Sequence, residues 1–170
     1  MTRYLLGPGL IIAALLMPTQ TIASDIVAGN PQQVLDIASG FGSATLETDD
    51  VGDPMITGRT NGYKYVIYFY GCEGTDTCSD IQLMASWTDT HANTSHMHQW
   101  NFENRFGTAF LDSDGDATIQ MSINLAYGVT RENLDDSLDW WRVVVTDFAS
   151  FVGNIEAPEG RKTQNKEPAI

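Results

Sequence analysis

Three histidines stand close together and could bind a metal ion or respond to pH. They are His91, His96 and His98, which follow Asp89 in a polar stretch that leads into a predicted helix. His96 and His98 are two residues apart, so on a helix they point in different directions, whereas metal-binding pairs on a helix stand four apart. Exposed histidines usually carry no ligand, so no metal or other cofactor is predicted here. A small-ligand or metal sensor built on this segment remains an alternative.

Carboxylates are the other abundant reactive groups. Residues 112–116 resemble a calcium loop, but Gly115 stands at the fourth position of such a loop and Ile123 at the twelfth, where the EF-hand pattern needs glycine at six and glutamate at twelve. A hairpin turn is the better interpretation. The adjacent acids Asp49-Asp50 and Asp135-Asp136 fall in polar turns or on a helix surface, without the burial that raises a general acid's pKa.

Nucleophilic chemistry has no recognisable sequence signature in this chain. There is no Gly-x-Ser-x-Gly elbow, phosphate-binding loop or dinucleotide fingerprint. No catalytic residue is therefore predicted, and we expect a protein that is not an enzyme. A hydrolase of unknown type is the second alternative.

The two cysteines, Cys72 and Cys78, are six residues apart in a segment rich in Gly, Thr and Asp. A disulfide is the favoured interpretation because this spacing closes a short surface loop. A zinc site would need further ligands and a tighter spacing, and a redox pair would need Cys-x-x-Cys at the start of a helix.

The first residues have the pattern of a secretory signal peptide. Arg3 precedes an apolar run at residues 5–17, and small residues precede a cut after Ala23, with Ser24 as the alternative position. The run is too short to span a bilayer, and no basic cluster follows it, so no stable membrane anchor is expected after cleavage of residues 1–23. These features predict a periplasmic or secreted protein, which agrees with a disulfide.

Composition limits the partners. The chain has 170 residues, with 9 Lys+Arg against 22 Asp+Glu and a formal net charge of -13. Nucleic-acid binding is not expected, because such proteins need lysine and arginine to neutralise phosphates. The length fits one domain, predicted at residues 30–153.

Two short helices are predicted from capping residues and apolar spacing. Asn30 is a favourable N-cap, and the proline after it is tolerated because the first helical N–H needs no partner. The helix that it begins should end near Gly40 or Gly42. Ser95 is predicted to cap a second helix, which stops before Gly107.

A long amphipathic helix is predicted over residues 131–152, with Thr130 as its cap. Trp140 and Val144 widen its apolar stripe, so the helix either lies deep against a sheet or offers a second face to a partner. Residues 154–170 have no apolar period and are predicted to form a disordered tail. The residues of the main stripe recur at spacings of three and four: Leu134, Leu138, Trp141, Val145, Phe148 and Val152.

Between the helices, alternation of apolar and polar residues predicts extended segments at 43–48, 55–60, 63–70, 81–87, 108–112 and 117–125. Asn61-Gly62 predicts a type I′ hairpin before the segment 63–70, whose two sides are both apolar enough that we expect both faces to be covered. The predicted fold is α+β, with a twisted antiparallel sheet flanked by helices in the order α-β-β-β-β-α-β-β-α.

Four motifs, taken together, make the region from Pro31 to Val152 similar to secreted members of the YbjN family. The resemblance implies a fold like that of type III secretion chaperones and a role as a bacterial sensory-transduction regulator, and it supplies no catalytic residue, substrate or cofactor. The motifs are Gly52-Asp53-Pro54-x-Ile56, Tyr65-x-x-Tyr68-Phe69-Tyr70-Gly71-Cys72, Trp100-Asn101-x-x-Asn104-Arg105-Phe106-Gly107-x-Ala109 and Gly128-Val129-Thr130.

Trp100, Asn101 and Arg105 are the candidate partner-binding residues, because arginine beside an aromatic residue on one helix can dock an extended segment. The competing interpretation places Trp100 in the core and pairs Arg105 with a local carboxylate such as Glu103. The predicted function is therefore a non-enzymatic, exported, chaperone-like module that binds a protein or peptide. A homodimer through a helix or sheet face is also expected from the chaperone-like fold.

Overall fold

The computed structural model describes residues 26–74 and 76–157. The predicted signal peptide and residues 158–170 of the predicted tail lie outside the described residues. Three helices and eight strands follow one another along the described chain, with a 3₁₀ turn at Ser39–Phe41 after the first helix. In chain order they are β1 (Ile26–Val27), α1 (Pro31–Ala38), β2 (Ser43–Thr48), β3 (Pro54–Thr60), β4 (Tyr63–Tyr70), β5 (Asp80–Trp87), α2 (Thr94–Glu103), β6 (Thr108–Leu111), β7 (Ala117–Asn124), β8 (Val129–Thr130) and α3 (Arg131–Gly153).

Six strands form one antiparallel sheet in the order β2-β3-β4-β5-β7-β6. The α+β class, the antiparallel sheet and the predicted order of its elements are confirmed. Two further strands, β1 and β8, pair with each other and were not predicted. Each has two residues, which is too short for an alternating pattern to be detected.

Side-chain caps fix where the helices begin. Asn30 accepts hydrogen bonds from the N–H groups of Gln32 and Gln33, and Thr130 accepts one from Asn133, so both predicted caps are confirmed. The prediction for α2 was wrong by two residues, because Asn93 rather than Ser95 is its cap. Asn93 is favoured because it completes a reciprocal capping arrangement in which its own N–H donates to a side chain at the third helical position.

The hydrophobic core lies between α3 and one face of the sheet, which we call the inner face. Trp141 of α3 packs edge-on against Tyr65 of β4, with 6.2 Å between ring centroids. Phe148 lies 5.3 Å from Trp87 of β5 and 5.0 Å from Trp100 of α2. Burial of each of these rings stabilises the folded state by several kcal/mol, at about 25 cal/mol for each Å² of apolar surface removed from water.

The opposite, outer face of the sheet is not covered by any described element. Val66 and Tyr68, on the outer side of β4, are half-buried, and Tyr70 is 47% exposed. The expectation that both faces of this strand are covered is therefore wrong. All three helices pack on the inner side, and neighbouring side chains alone shield the outer one.

No helix within residues 26–74 and 76–157 is both long enough and apolar enough to cross a membrane. The long helix α3 has an exposed acidic side, which includes Asp135 and Asp136.

Candidate functional site: a groove between α2 and α3

A groove of about 290 Å³ runs between the C-terminal end of α2 and the middle of α3. Helix α2 provides its near wall, the turn before β6 closes one end, and α3 provides the far wall. The lining residues are Trp100, Glu103, Asn104, Arg105, Phe106, Trp140, Val143, Val144 and Asp147.

Trp100 forms the floor of the groove. Its side chain is 3% exposed, and its ring lies 5.5 Å from that of Phe151. The indole N–H donates to the carbonyl of Gly107 at 3.4 Å, so the buried polar atom has a partner. Trp100 is therefore a core residue that reaches the surface only as the base of the groove.

Gly107 allows the turn to approach α3. Its φ is +75°, a left-handed conformation that side chains rarely adopt. A Cβ at this position would lie 2.6 Å from Val144 Cγ1 and 3.0 Å from Ile119 Cδ1. A residue with a side chain would push the turn away from α3 and widen the groove.

An aromatic pair forms the rim. The rings of Phe106 and Trp140 lie 4.6 Å apart at an angle of 38°, and their side chains are 37% and 44% exposed. The guanidinium carbon of Arg105 sits 5.3 Å from the centre of the Phe106 ring. Phe102, on the same turn of α2 but outside the groove lining, is 92% exposed. Exposed aromatic groups concentrated in one place are characteristic of binding surfaces.

Charges of both signs border the aromatic rim. Glu103 and Asp147 are exposed carboxylates on the two walls, and Arg105 is the cation between them. The predicted pairing of Arg105 with Glu103 does not occur, because the guanidinium lies over the ring of Phe106 instead. A ligand could therefore meet apolar, anionic and cationic groups within one groove.

Asn101 faces away from the groove. Its carboxamide Nδ2 donates to the carbonyl of Ala109 at 2.9 Å, and its Oδ1 accepts from the Ala109 N–H at 2.7 Å. Of the three candidate residues, Arg105 and Trp100 line the groove, and Asn101 holds α2 against β6. From the sequence, Trp140 is recognisable only as a residue that widens the stripe of α3, and Phe106 only as part of a family motif, since a single exposed phenylalanine has no periodic signal.

The histidines do not form a joint site. His96 Nδ1 accepts a hydrogen bond from the N–H of Asn93 and belongs to the cap of α2, while His91 and His98 are exposed. Across residues 26–74 and 76–157, no three His, Cys, Asp or Glu side chains are arranged to hold a metal ion.

The acidic loop is a hairpin turn, as predicted. Asp112 Oδ1 accepts from the N–H groups of Asp114 and Asp116, which closes the turn internally. Partial loss of hydration, together with the carboxylates of Asp112, Asp114 and Asp89, raises the pKa of Asp116. Burial raises the pKa of Tyr65, whose ring lies in the core beneath α3. Neither group lies at the groove.

The predicted disulfide is present between Cys72 and Cys78. It closes the loop between β4 and β5, and Cys78 is 1% exposed. Both thiols are thereby removed as nucleophiles.

Comparison with protein families gives a match over most of the chain. The sequence model of the YbjN family, described as "Putative bacterial sensory transduction regulator", matches residues 30–154. No curated protein matches the chain.

Proposed function

Since the chain belongs to the YbjN family, we propose that its domain is an exported regulatory module which binds a segment of another protein in the α2–α3 groove and catalyses no reaction. The observation that carries the proposal is the half-exposed pair of Phe106 and Trp140, with Arg105 stacked beside it. Tryptophan, tyrosine and arginine are enriched among the few residues that provide most of the binding energy at protein interfaces.

The groove fits a peptide better than a small molecule. It is open along its length, and its walls present exposed carboxylates and an exposed guanidinium rather than polar groups that converge inside a closed pocket. A bound segment would place an apolar side chain against Phe106 and Trp140 and a basic residue near Glu103 or Asp147. The net charge of -13 adds a general preference for basic segments.

Export of the protein is supported by the predicted signal peptide and by the disulfide, because disulfides persist in oxidising compartments. The absence of catalysis is supported by the chemistry of the groove. Its titratable groups are two exposed carboxylates and one arginine, with no nucleophile beside a base.

The proposal is tested by selecting peptides from a displayed random library on the purified, oxidised domain and measuring their affinities. Trp140→Ala and Arg105→Ala should each weaken the selected peptides about tenfold or more. Tyr127→Ala is the matched control, because Tyr127 is fully exposed and does not line the groove. Peptides that bind the Trp140→Ala variant as tightly as the unmodified domain would contradict the proposal.

A further inference from the structure

The two edges of the six-stranded sheet differ in how they are protected. Edge strand β6 has four residues, and α2 packs against it through Asn101. Edge strand β2, on the other side of the sheet, has six residues that pair one to one with β3. Within the part of the chain that the structure describes, no strand lies beyond β2, and β2 lacks the bulge or proline that commonly prevents an edge strand from pairing with another chain. Its outer edge is therefore the place where the sheet can be extended.

The pairing of β2 with β3 defines which backbone groups of β2 point outward. The N–H of Asp49 donates to the carbonyl of Asp53 at 2.9 Å, so these two residues form a hydrogen-bonded pair at the turn end of the ladder. In an antiparallel ladder such pairs alternate with pairs that exchange no hydrogen bond. Along the register, Glu47 and Thr45 therefore bond with β3. The alternate residues direct their N–H and carbonyl groups away from β3, and they are Ala44, Leu46 and Thr48.

These outward-bonding residues turn their side chains to the inner face of the sheet. Leu46 stands opposite Ile56, which is fully buried, so both side chains lie on the side of the core. Leu46 is still 37% exposed, because it lies at the edge of the sheet. Together with Thr48 it lines a groove of about 420 Å³ that extends to the first residues of α1. On an added strand, an apolar side chain opposite Leu46 would lie beside this groove and cover the exposed part of Leu46.

Acidic residues border this edge. They lie on β2 itself, in the turn that follows it, on α1 beside the groove and in the loop closed by the disulfide, and they are Glu47, Asp49, Asp50, Asp53, Asp36 and Asp76. The bases on the same part of the sheet are Arg59 and Lys64, at the Ser43 end of the ladder. A strand with basic side chains is therefore attracted to the Thr48 end. A second copy of this chain, with its net charge of -13, is repelled.

We propose that β2 accepts an extended segment of another protein as an additional antiparallel strand, and that this segment has alternating basic and apolar side chains. Its apolar residues pair with the outward-bonding residues of β2 and face the inner side beside Leu46, while its basic residues face the outer side beside Glu47. A shift by one residue would place the basic side chains on the side of the core, so the alternation sets the register. Helix α2 packs on β6 at the opposite edge, so this surface is separate from the α2–α3 groove.

The probe is a synthetic, end-blocked peptide of alternating lysine and valine, about eight residues long, titrated into the isotope-labelled, oxidised protein. The amide signals of Ala44, Leu46 and Thr48 should shift, and their hydrogen exchange should slow, because these N–H groups gain acceptors. Methylation of the valine nitrogens should raise the dissociation constant about tenfold or more, since the valine N–H groups donate to β2. Methylation of the lysine nitrogens is the matched control. It should leave the dissociation constant within about threefold, because the lysine N–H groups point away from β2.

Glu47→Lys should weaken the unmethylated peptide about fivefold, because it replaces an attraction across the two strands by a repulsion. Asp114→Lys, in the turn between β6 and β7, makes the same change of net charge away from β2 and should weaken the peptide by less than about twofold. Trp140→Ala should leave the affinity unchanged, which separates this surface from the α2–α3 groove. Thermal unfolding of each variant separates loss of binding from loss of fold.

The proposal is overturned if the two methylated peptides bind equally well, or if no amide signal of β2 shifts at about 5 mM peptide. It is also overturned if Trp140→Ala abolishes binding that Glu47→Lys leaves intact, because the peptide then lies in the α2–α3 groove. A shift of the Leu46 amide signal with protein concentration alone would assign the edge to a second copy and would overturn the proposal as well.

Discussion

The carboxamide of Asn101 makes with Ala109 the two hydrogen bonds that a neighbouring β-strand would make. Ala109 lies in the edge strand β6, and the side chain of Asn101 both donates to its carbonyl and accepts from its N–H. Backbone groups of an edge strand are otherwise open to pairing with another chain. One helical side chain thus closes the middle of this edge and attaches α2 to the sheet.

Replacement of Asn101 by alanine should destabilise the domain by about 1–3 kcal/mol, because two groups of the buried Ala109 lose their partner. Urea unfolding measures the change. Gln99→Ala is the control, since the exposed Gln99 donates a hydrogen bond to the exposed Glu103 on the same helix and its loss should cost about 0.5 kcal/mol or less. Equal losses for the two variants would show that the Asn101 bonds contribute little.

Gly107 should not tolerate a side chain. Gly107→Ala combines a positive φ with a contact of 2.6 Å to Val144, and we expect a loss of about 2–4 kcal/mol in unfolding free energy. Gly115 has a similar positive φ of 85°, but a Cβ there meets open space.

Gly115→Ala should consequently cost only the conformational part, about 1 kcal/mol. The difference between the two variants measures the clash with α3. If both lose the same stability, the turn at Gly107 has room to move and the groove is not fixed by this residue.

The hydrophobic pattern of α3 was sufficient to predict its length, cap and buried side, because Leu134, Trp141 and Phe148 recur with helical spacing over many turns. The hairpin at Asn61-Gly62 could also be predicted, because the Asn-Gly pair favours a type I′ turn. In the structure both residues adopt the positive φ that this turn requires. Long periodic elements and special turns are local properties, and sequence alone conveys them.

The groove depends on contacts between residues distant in sequence. Phe106 follows α2 and Trp140 lies within α3, and only the packing of the two helices brings their rings to 4.6 Å. Whether the outer face of the sheet is covered also depends on residues distant in sequence. The alternation in β4 gives the polarity of each side of the strand but does not show whether another layer covers it. The sequence therefore indicated Arg105 and Trp100 as candidates but not the aromatic pair of Phe106 and Trp140.

Reduction of the disulfide should destabilise the domain by about 2 kcal/mol, because the opened loop gives the unfolded chain more conformational freedom. The effect should extend to the N-terminal segment, since the N–H of Cys78 donates to the carbonyl of Gly29 and Asn30 Nδ2 donates to the carbonyl of Asp76. Urea unfolding with and without a reductant provides the measurement.

A variant with Cys72→Ala and Cys78→Ala should match the reduced protein and show no response to the reductant. Hydrogen exchange should become faster near Gly29 in both. Unchanged stability on reduction would mean that the loop is held by these hydrogen bonds without the covalent link.

Asp116 should make the stability of the domain depend on pH. Its pKa is raised in the folded state, so between the usual carboxyl pKa and the raised one the folded protein binds more protons than the unfolded chain. Stability from this group therefore falls as pH rises through that window. Asp116→Asn should raise Tm at about pH 7 and lose the advantage at about pH 3.

Asp114→Asn is the control in the same turn, where the carboxylate is more exposed. It should raise Tm at neutral pH by less than Asp116→Asn does. Thermal unfolding at both pH values is the measurement. A lower Tm for Asp116→Asn at neutral pH would contradict the repulsion argued for this turn.

The short pairing of β1 with β8 also governs when the fold can be completed. Ile26 pairs with Thr130, the residue that caps α3, and Val27 is fully buried in the core. About a hundred residues separate the two strands, so a chain that leaves a ribosome or a membrane channel from its N-terminus cannot close its core until α3 has followed. Until then its first strand has no neighbour, and Val27 cannot take its buried place in the core.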